Sequence, residues 1–200
     1  MQQMLQFYFG NSLQKEMELR IMNIRGWVIF AYKVPTEPSS ARVKVWRNLK
    51  TLGVHYIQQS VCICPNTEYT LKKLLKLKLF ILESGGEVSL IEVDKLSTKS
   101  EEEIISEFNK ERSLEYKELI EECENFLDEI NKETQHSNFN FREIEENEVE
   151  LRRLRNWIVK IKKRDFFQCE SQDEAIDNFE NCKIMLEKFT EEVYKNEGIK

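Results

Sequence analysis

Glycine and proline are scarce in this sequence, six and three among 200 residues, which excludes a collagenous chain or a Gly/Pro-rich disordered one. No run approaches eighteen apolar residues, so no membrane-spanning helix is expected. The first ten residues lack the basic start and long apolar stretch of a secretory signal. Five cysteines are an odd number without regular spacing, so no disulfide framework is expected, and reduced thiols in the cytoplasm are. Only two histidines are present. There is no Gly-rich phosphate loop, nucleophile elbow or His-Glu-x-x-His pair, so neither an enzyme nor a bound metal or cofactor is expected.

Charge is what the sequence has in excess. Asp, Glu, Lys and Arg make up 33% of the residues and the net charge is −6, distributed unevenly. Residues 22–99 hold twelve Lys/Arg against six Asp/Glu, whereas residues 100–200 hold sixteen against twenty-eight. A basic first part beside an acidic second part points to different partners for the two.

Hydropathy patterning predicts three segments. Residues 1–21 are poorly patterned and read as a peripheral leader. Residues 22–96 alternate strand and helix signals: a β-branched, aromatic run at Trp27–Val34, a helix from Ser39 or Ser40 to the Gly53 stop, short strands at Val54–Gln58 and Ser60–Cys64, a leucine-rich helix over Thr67–Glu83, and a strand at Glu87–Val93. The order βαββαβ is the ferredoxin-like arrangement, an antiparallel sheet with two helices on one face. Residues 97–200 predict three amphipathic helices, broken at His136–Asn140 and near Asp165. The fold class is therefore α+β, a ferredoxin-like domain followed by a helical region.

The helix spacing predicts a buried stripe of Val45, Trp46, Leu49 and Leu52 in the first helix and of Leu71, Leu74, Leu75, Leu79 and Leu82 in the second, with Trp27, Trp46 and Trp157 as core anchors. Arg42, Lys44, Arg47 and Lys50 fall along the first helix, and Lys72, Lys73 and Lys76 along the second. Such residues either contact phosphates or simply form a solvated face. Arg152, Arg153, Arg155, Lys160, Lys162, Lys163 and Arg164 follow an acidic run, and ion pairing within the chain explains them best. Cys62 and Cys64, two apart on a strand, read as buried small apolar residues, and Cys169 as the thiol best placed for exposure. Tyr32 is a further exposed candidate.

One stretch is more specific than composition. Tyr32 to Gly53 reads Y-K-V-P-T-E-P-S-S-A-R-V-K-V-W-R-N-L-K-T-L-G and is followed by Gln59-Ser60-Val61. It resembles the N-terminal domain of the chromate-resistance regulator ChrB family, with its V-P-x-E-P-S strand end, R-V-x-x-W-R-x-L-K-x-L-G helix and Q-S-V strand start. Leu151-Arg152-Arg153-Leu154 and Arg164-Asp165-Phe166-Phe167 are similar to later blocks of the same family. The resemblance covers roughly residues 25–197. It implies a transcription regulator, or a regulator subunit, linked to chromate resistance and acting by binding DNA or a partner protein; with the basic spacing of the first helix, Arg42, Lys44, Arg47 and Lys50 are the expected phosphate contacts to duplex DNA. The alternative it leaves open is a non-catalytic module that forms a homodimer or docks a separate chromate-responsive protein. Longer members of the family carry a second domain, which is not expected here. The first domain is also similar to that of the phenylacetate repressor and of small CRISPR adaptation nucleases. The nucleases place an acid just after the tyrosine that ends the first strand; Lys33 occupies that position here and would repel Mg²⁺, so cleavage is not expected.

Overall fold

The computed structural model describes residues 24–198, so the leader at 1–21 lies outside the described residues. The elements run β1 (Trp27–Lys33), α1 (Ser39–Leu52), β2 (His55–Gln58), β3 (Val61–Pro65), α2 (Glu68–Glu83), β4 (Glu87–Val93), α3 (Thr98–Gln135), α4 (Phe141–Lys162) and α5 (Ser171–Asn196). The expected α+β class is the one observed. The chain divides into two compact units, Met1–Phe108 and Asn109–Lys200.

In the first unit the strands lie in the order β2-β3-β1-β4, and every neighbouring pair is antiparallel. The pleat alternates side chains between the two faces. Val28 and Phe30 of β1 and Cys62 and Cys64 of β3 meet Val45, Leu49 and Leu52 of α1 and Leu74, Leu77 and Ile81 of α2 in one core. On the opposite face Trp27 and Ile63 are buried, Phe108 tilts against Trp27 at 6.2 Å, and the Trp27 Nε1–H donates to Glu101 Oε1 at 3.2 Å. Gly53 ends α1 in the left-handed region (φ 74°), where its N–H reaches the Leu49 carbonyl at 3.1 Å. Gly26 opens β1 at φ 107°, and a Cβ there would lie 2.4 Å from the Val93 carbonyl oxygen. Ser60, also left-handed at φ 63°, closes the tight β2–β3 turn.

Three sequence expectations are corrected in this unit. Trp46 is 50% exposed: the buried arc of α1 runs Ala41, Val45, Leu49, Leu52 at spacings of four, four and three, and Trp46 falls one residue beyond it. The α1 start is formed at Pro38, without a serine side-chain cap bond. In α2 the buried line is Thr70, Leu74, Leu77 and Ile81, while Leu75, Leu79 and Leu82 are 46%, 60% and 47% exposed. The rotation follows from the cap. Thr67 accepts from the Thr70 N–H at 3.1 Å, and the Thr70 hydroxyl donates to the Pro65 carbonyl at 2.6 Å, which turns Thr70 inward.

The second unit packs Tyr116, Leu119, Cys123, Phe126 and Ile130 of α3 with Leu154, Ile158 and Ile161 of α4 and Phe179, Cys182, Leu186, Phe189 and Val193 of α5. Asn140 caps α4, its side chain accepting from the Glu143 N–H at 3.1 Å. Trp157 lies half-buried at the margin of this core. A polar knot sits within it: the Tyr116 hydroxyl donates to Asp165 Oδ2 at 3.1 Å, Asp165 accepts the Cys169 N–H at 3.1 Å, and Arg164 pairs with Glu115 at 2.8 Å. Burial pushes the Tyr116 hydroxyl and the Asp165 carboxyl upward in pKa. Cys169, expected to be the most accessible thiol, is only 6% exposed, and its Sγ–H donates to the Asn109 carbonyl at 3.4 Å.

Candidate nucleic-acid interface

The helix layer of the first unit carries the basic residues. Within Ser39–Leu52 there are four cations and no acid, and within Glu68–Glu83 four lysines and two glutamates, the latter at the two ends. Arg42, Lys44, Arg47 and Lys50 are all exposed. Among the described residues none of these four is engaged in an ion pair. Lys44 and Lys50 are instead steered by aromatic rings: the Lys44 ammonium lies 3.8 Å from the Phe80 ring centre and that of Lys50 5.3 Å from the centre of Trp46. Exposed Trp46 thus finds a role on the surface, as a platform under a cation.

The four do not share one stripe. At about 100° per residue, Arg42 lies roughly 160° round α1 from Lys44. Lys44 turns toward α2, as its Phe80 contact shows. Arg47, Asn48 and Thr51 meet Tyr69 and Lys73 of α2 across a groove of about 150 Å³, floored by Leu52, Leu74 and Leu77. Lys73 is held over the Tyr69 ring at 5.6 Å. Arg47 and Lys73 therefore flank one groove that also presents an amide, a hydroxyl and a phenol, while Arg42 points elsewhere. Sequence reading did not mark Asn48, Thr51 or Tyr69. Their signal was the i, i+4 pair Tyr69/Lys73, on the side of α2 that also holds Phe80.

Tyr32 is half-buried rather than exposed, and its hydroxyl lies 3.2 Å from that of Tyr56. Burial drives both phenols upward in pKa. Next to it Lys33 is exposed and 3.6 Å from Glu87. The β3 thiols are buried as expected, Cys62 being pushed up to about 12 by desolvation. In the second unit the basic cluster is drawn into pairs: Arg153 with Glu150 and Glu122, and Arg164 with Glu115. Lys162 is half-buried and lowered in pKa by desolvation. Among the described residues no group of three or more His, Cys, Asp or Glu is placed to hold a metal ion, and no helix is long and apolar enough to cross a membrane.

A family model described as Protein ChrB, N-terminal, matches residues 42–199. Protein ChrB of Cupriavidus metallidurans is 28% identical over 96 residues, which is 48% of this chain and 29% of that protein. The match thus spans under a third of the relative's length. No solved structure matches the chain.

Proposed function

The chain belongs to the ChrB N-terminal family, a family associated with chromate resistance, and on that premise we propose that it is a regulatory protein that binds duplex DNA through the helix layer of its first unit. The observation that supports this most is that the four exposed cations of α1 have no acidic partner among the described residues. A cation already paired with a carboxylate gains little from a phosphate; an unpaired one gains the released counterion. Arg47 and Lys73 would grip a phosphate across the α1–α2 groove, Lys44 and Lys50 would contact its neighbours, and Arg42 would reach the backbone from the opposite flank. The second unit, with its acidic surface and internally paired arginines, is left to other partners, among them a separate chromate-responsive protein. We take the action to be binding rather than catalysis, since Lys33 stands where a metal-dependent nuclease would need an acid.

The test is fluorescence anisotropy with a labelled duplex across a salt series. Binding should weaken steeply as salt rises, and K44E/R47E/K50E, which alters only exposed residues, should lose more than about tenfold in affinity while keeping its circular dichroism. A folded chain that ignores duplex DNA at low salt removes this reading.

A further inference from the structure

The first unit ends at an unfinished edge. Among the described residues no strand pairs with the outer side of β4, a regular seven-residue strand. Such an edge presents a row of backbone donors and acceptors, and folded proteins normally blunt it with charge, proline or a bulge. Here β4 pairs with β1 residue for residue over its whole length with no register shift, and it contains no proline, its only charges being Glu87 and Glu92. Beside it α2 turns an apolar flank outward. Leu71, Leu75, Lys78 and Leu82 recur at i, i+4, i+7 and i+11, a single helical line. Leu75 and Leu82 are nearly half exposed, and Leu71 packs on the margin of the core with Val88 and Leu90 of β4. Backbone edge and leucine line are thus continuous.

We propose that this margin is the interface of a homodimer, in which β4 pairs antiparallel with β4 of a second copy and the two α2 flanks close over the joint. The occupant is read from the strand itself. A two-fold axis normal to the sheet must pair each residue with one of the same face, and centring it on Leu90 pairs all seven residues. In that register Glu87 lies opposite Val93, Glu92 opposite Val88 and Ser89 opposite Ile91, so no acid faces an acid. A slip of one residue would set Glu87 against Glu92 and put the two helix layers on opposite faces of the sheet, so that the α2 flanks could not meet. The sequence Glu87–Val93 therefore complements itself, as an isologous interface requires. Ile91, 51% exposed on the face away from the helices, gains a partner across the joint as well. The same axis leaves both helix layers on one side of a continuous eight-stranded sheet, so two basic α1–α2 grooves would face the same way.

Sedimentation equilibrium of the full chain without DNA tests this independently of nucleic-acid binding. The chain should be a dimer, and L75E/L82E, which changes two exposed side chains, should raise the dimer dissociation constant about tenfold or more, with its circular dichroism retained. K44E/R47E/K50E should leave the dimer intact, which separates failure of the DNA reading from failure of this one. S89C/I91C places a thiol opposite a thiol across the joint and should give a covalent dimer on mild oxidation. A monomeric chain, a dimer indifferent to L75E/L82E, or a dimer that S89C/I91C fails to crosslink overturns the proposal.

Discussion

A thiol reacts as its thiolate, so burial silences it twice, by blocking access and by disfavouring the charge. Cys62 shows both effects, being enclosed between β3 and the helices and pushed up to about 12, and Cys64, next along the same face, is displaced in the same direction by the same desolvation. All five thiols are free and buried. The folded protein should therefore take up essentially no maleimide at neutral pH on a short timescale, and five equivalents after denaturation. Rapid uptake of one equivalent by the native chain would show that one of these sites opens. A carboxyl gives the second residue-scale prediction. Glu133 accepts the Asn147 amide N–H at 2.9 Å, yet burial, then the nearby Glu143 and Glu129 charges, push it up to about 7 from 4.5. The folded state thus holds a proton that the unfolded chain releases above its ordinary value. Stability falls as pH climbs from 4.5 toward 7 and stays lowered above it. Glu133→Gln keeps the acceptor for Asn147 and abolishes the ionisation. Its Tm should exceed wild type at pH 8 and match it near pH 4, where both side chains are neutral; an equal gain at both pH values would assign the effect to packing.

At the scale of the element, the Thr67–Thr70 cap decides which side of α2 is inside. Thr67→Ala removes the acceptor for the Thr70 N–H and should cost about 1 kcal/mol in urea unfolding. Gly26→Ala should cost more, about 2 kcal/mol or above, because the new methyl meets the Val93 and Asp94 carbonyls at 2.4 and 2.7 Å on a backbone at φ 107°. If Gly26→Ala proved neutral, the close approach of β1's start to β4's end would be wrong. The same two elements explain how much was legible beforehand. The strands were readable because Trp27–Val34 and Glu87–Val93 combine β-branched and aromatic content with hard stops, and their order yields the observed sheet. The α2 stripe was not. Leucines occupy several sides of that helix, so periodicity offered two answers, and a threonine was the residue that pointed inward. Trp46 misled for a related reason, since size suggests a core anchor while the arc from Ala41 to Leu52 was already complete without it. For the candidate interface, the individual cations were legible. Their sorting onto opposite flanks, and the role of Tyr69, Asn48 and Thr51 in the groove, required the packing of α1 on α2.

For the whole molecule, a chain of net charge −6 and isoelectric point near 5.3 is an unpromising ligand for DNA if charge is averaged. Only local charge could carry the binding, and that bounds its salt dependence. Each phosphate neutralised contributes about −0.9 to the slope of log affinity against log salt, so four contacts from α1 would give a slope of roughly −3 to −4. Removing Arg47 should make that slope shallower by about one. Arg152 provides the contrast, since it is an exposed arginine on α4 of the second unit, whose net charge is negative. Arg152→Ala should leave the slope where it was, because the net negative charge of the second unit disfavours phosphate binding whatever this one cation does. The measurement is the same anisotropy titration repeated at several salt concentrations for wild type, R47A and R152A. If R152A flattened the slope and R47A did not, the contact surface would belong to the helical unit, and the segregation of charge along the chain would serve something other than nucleic acid.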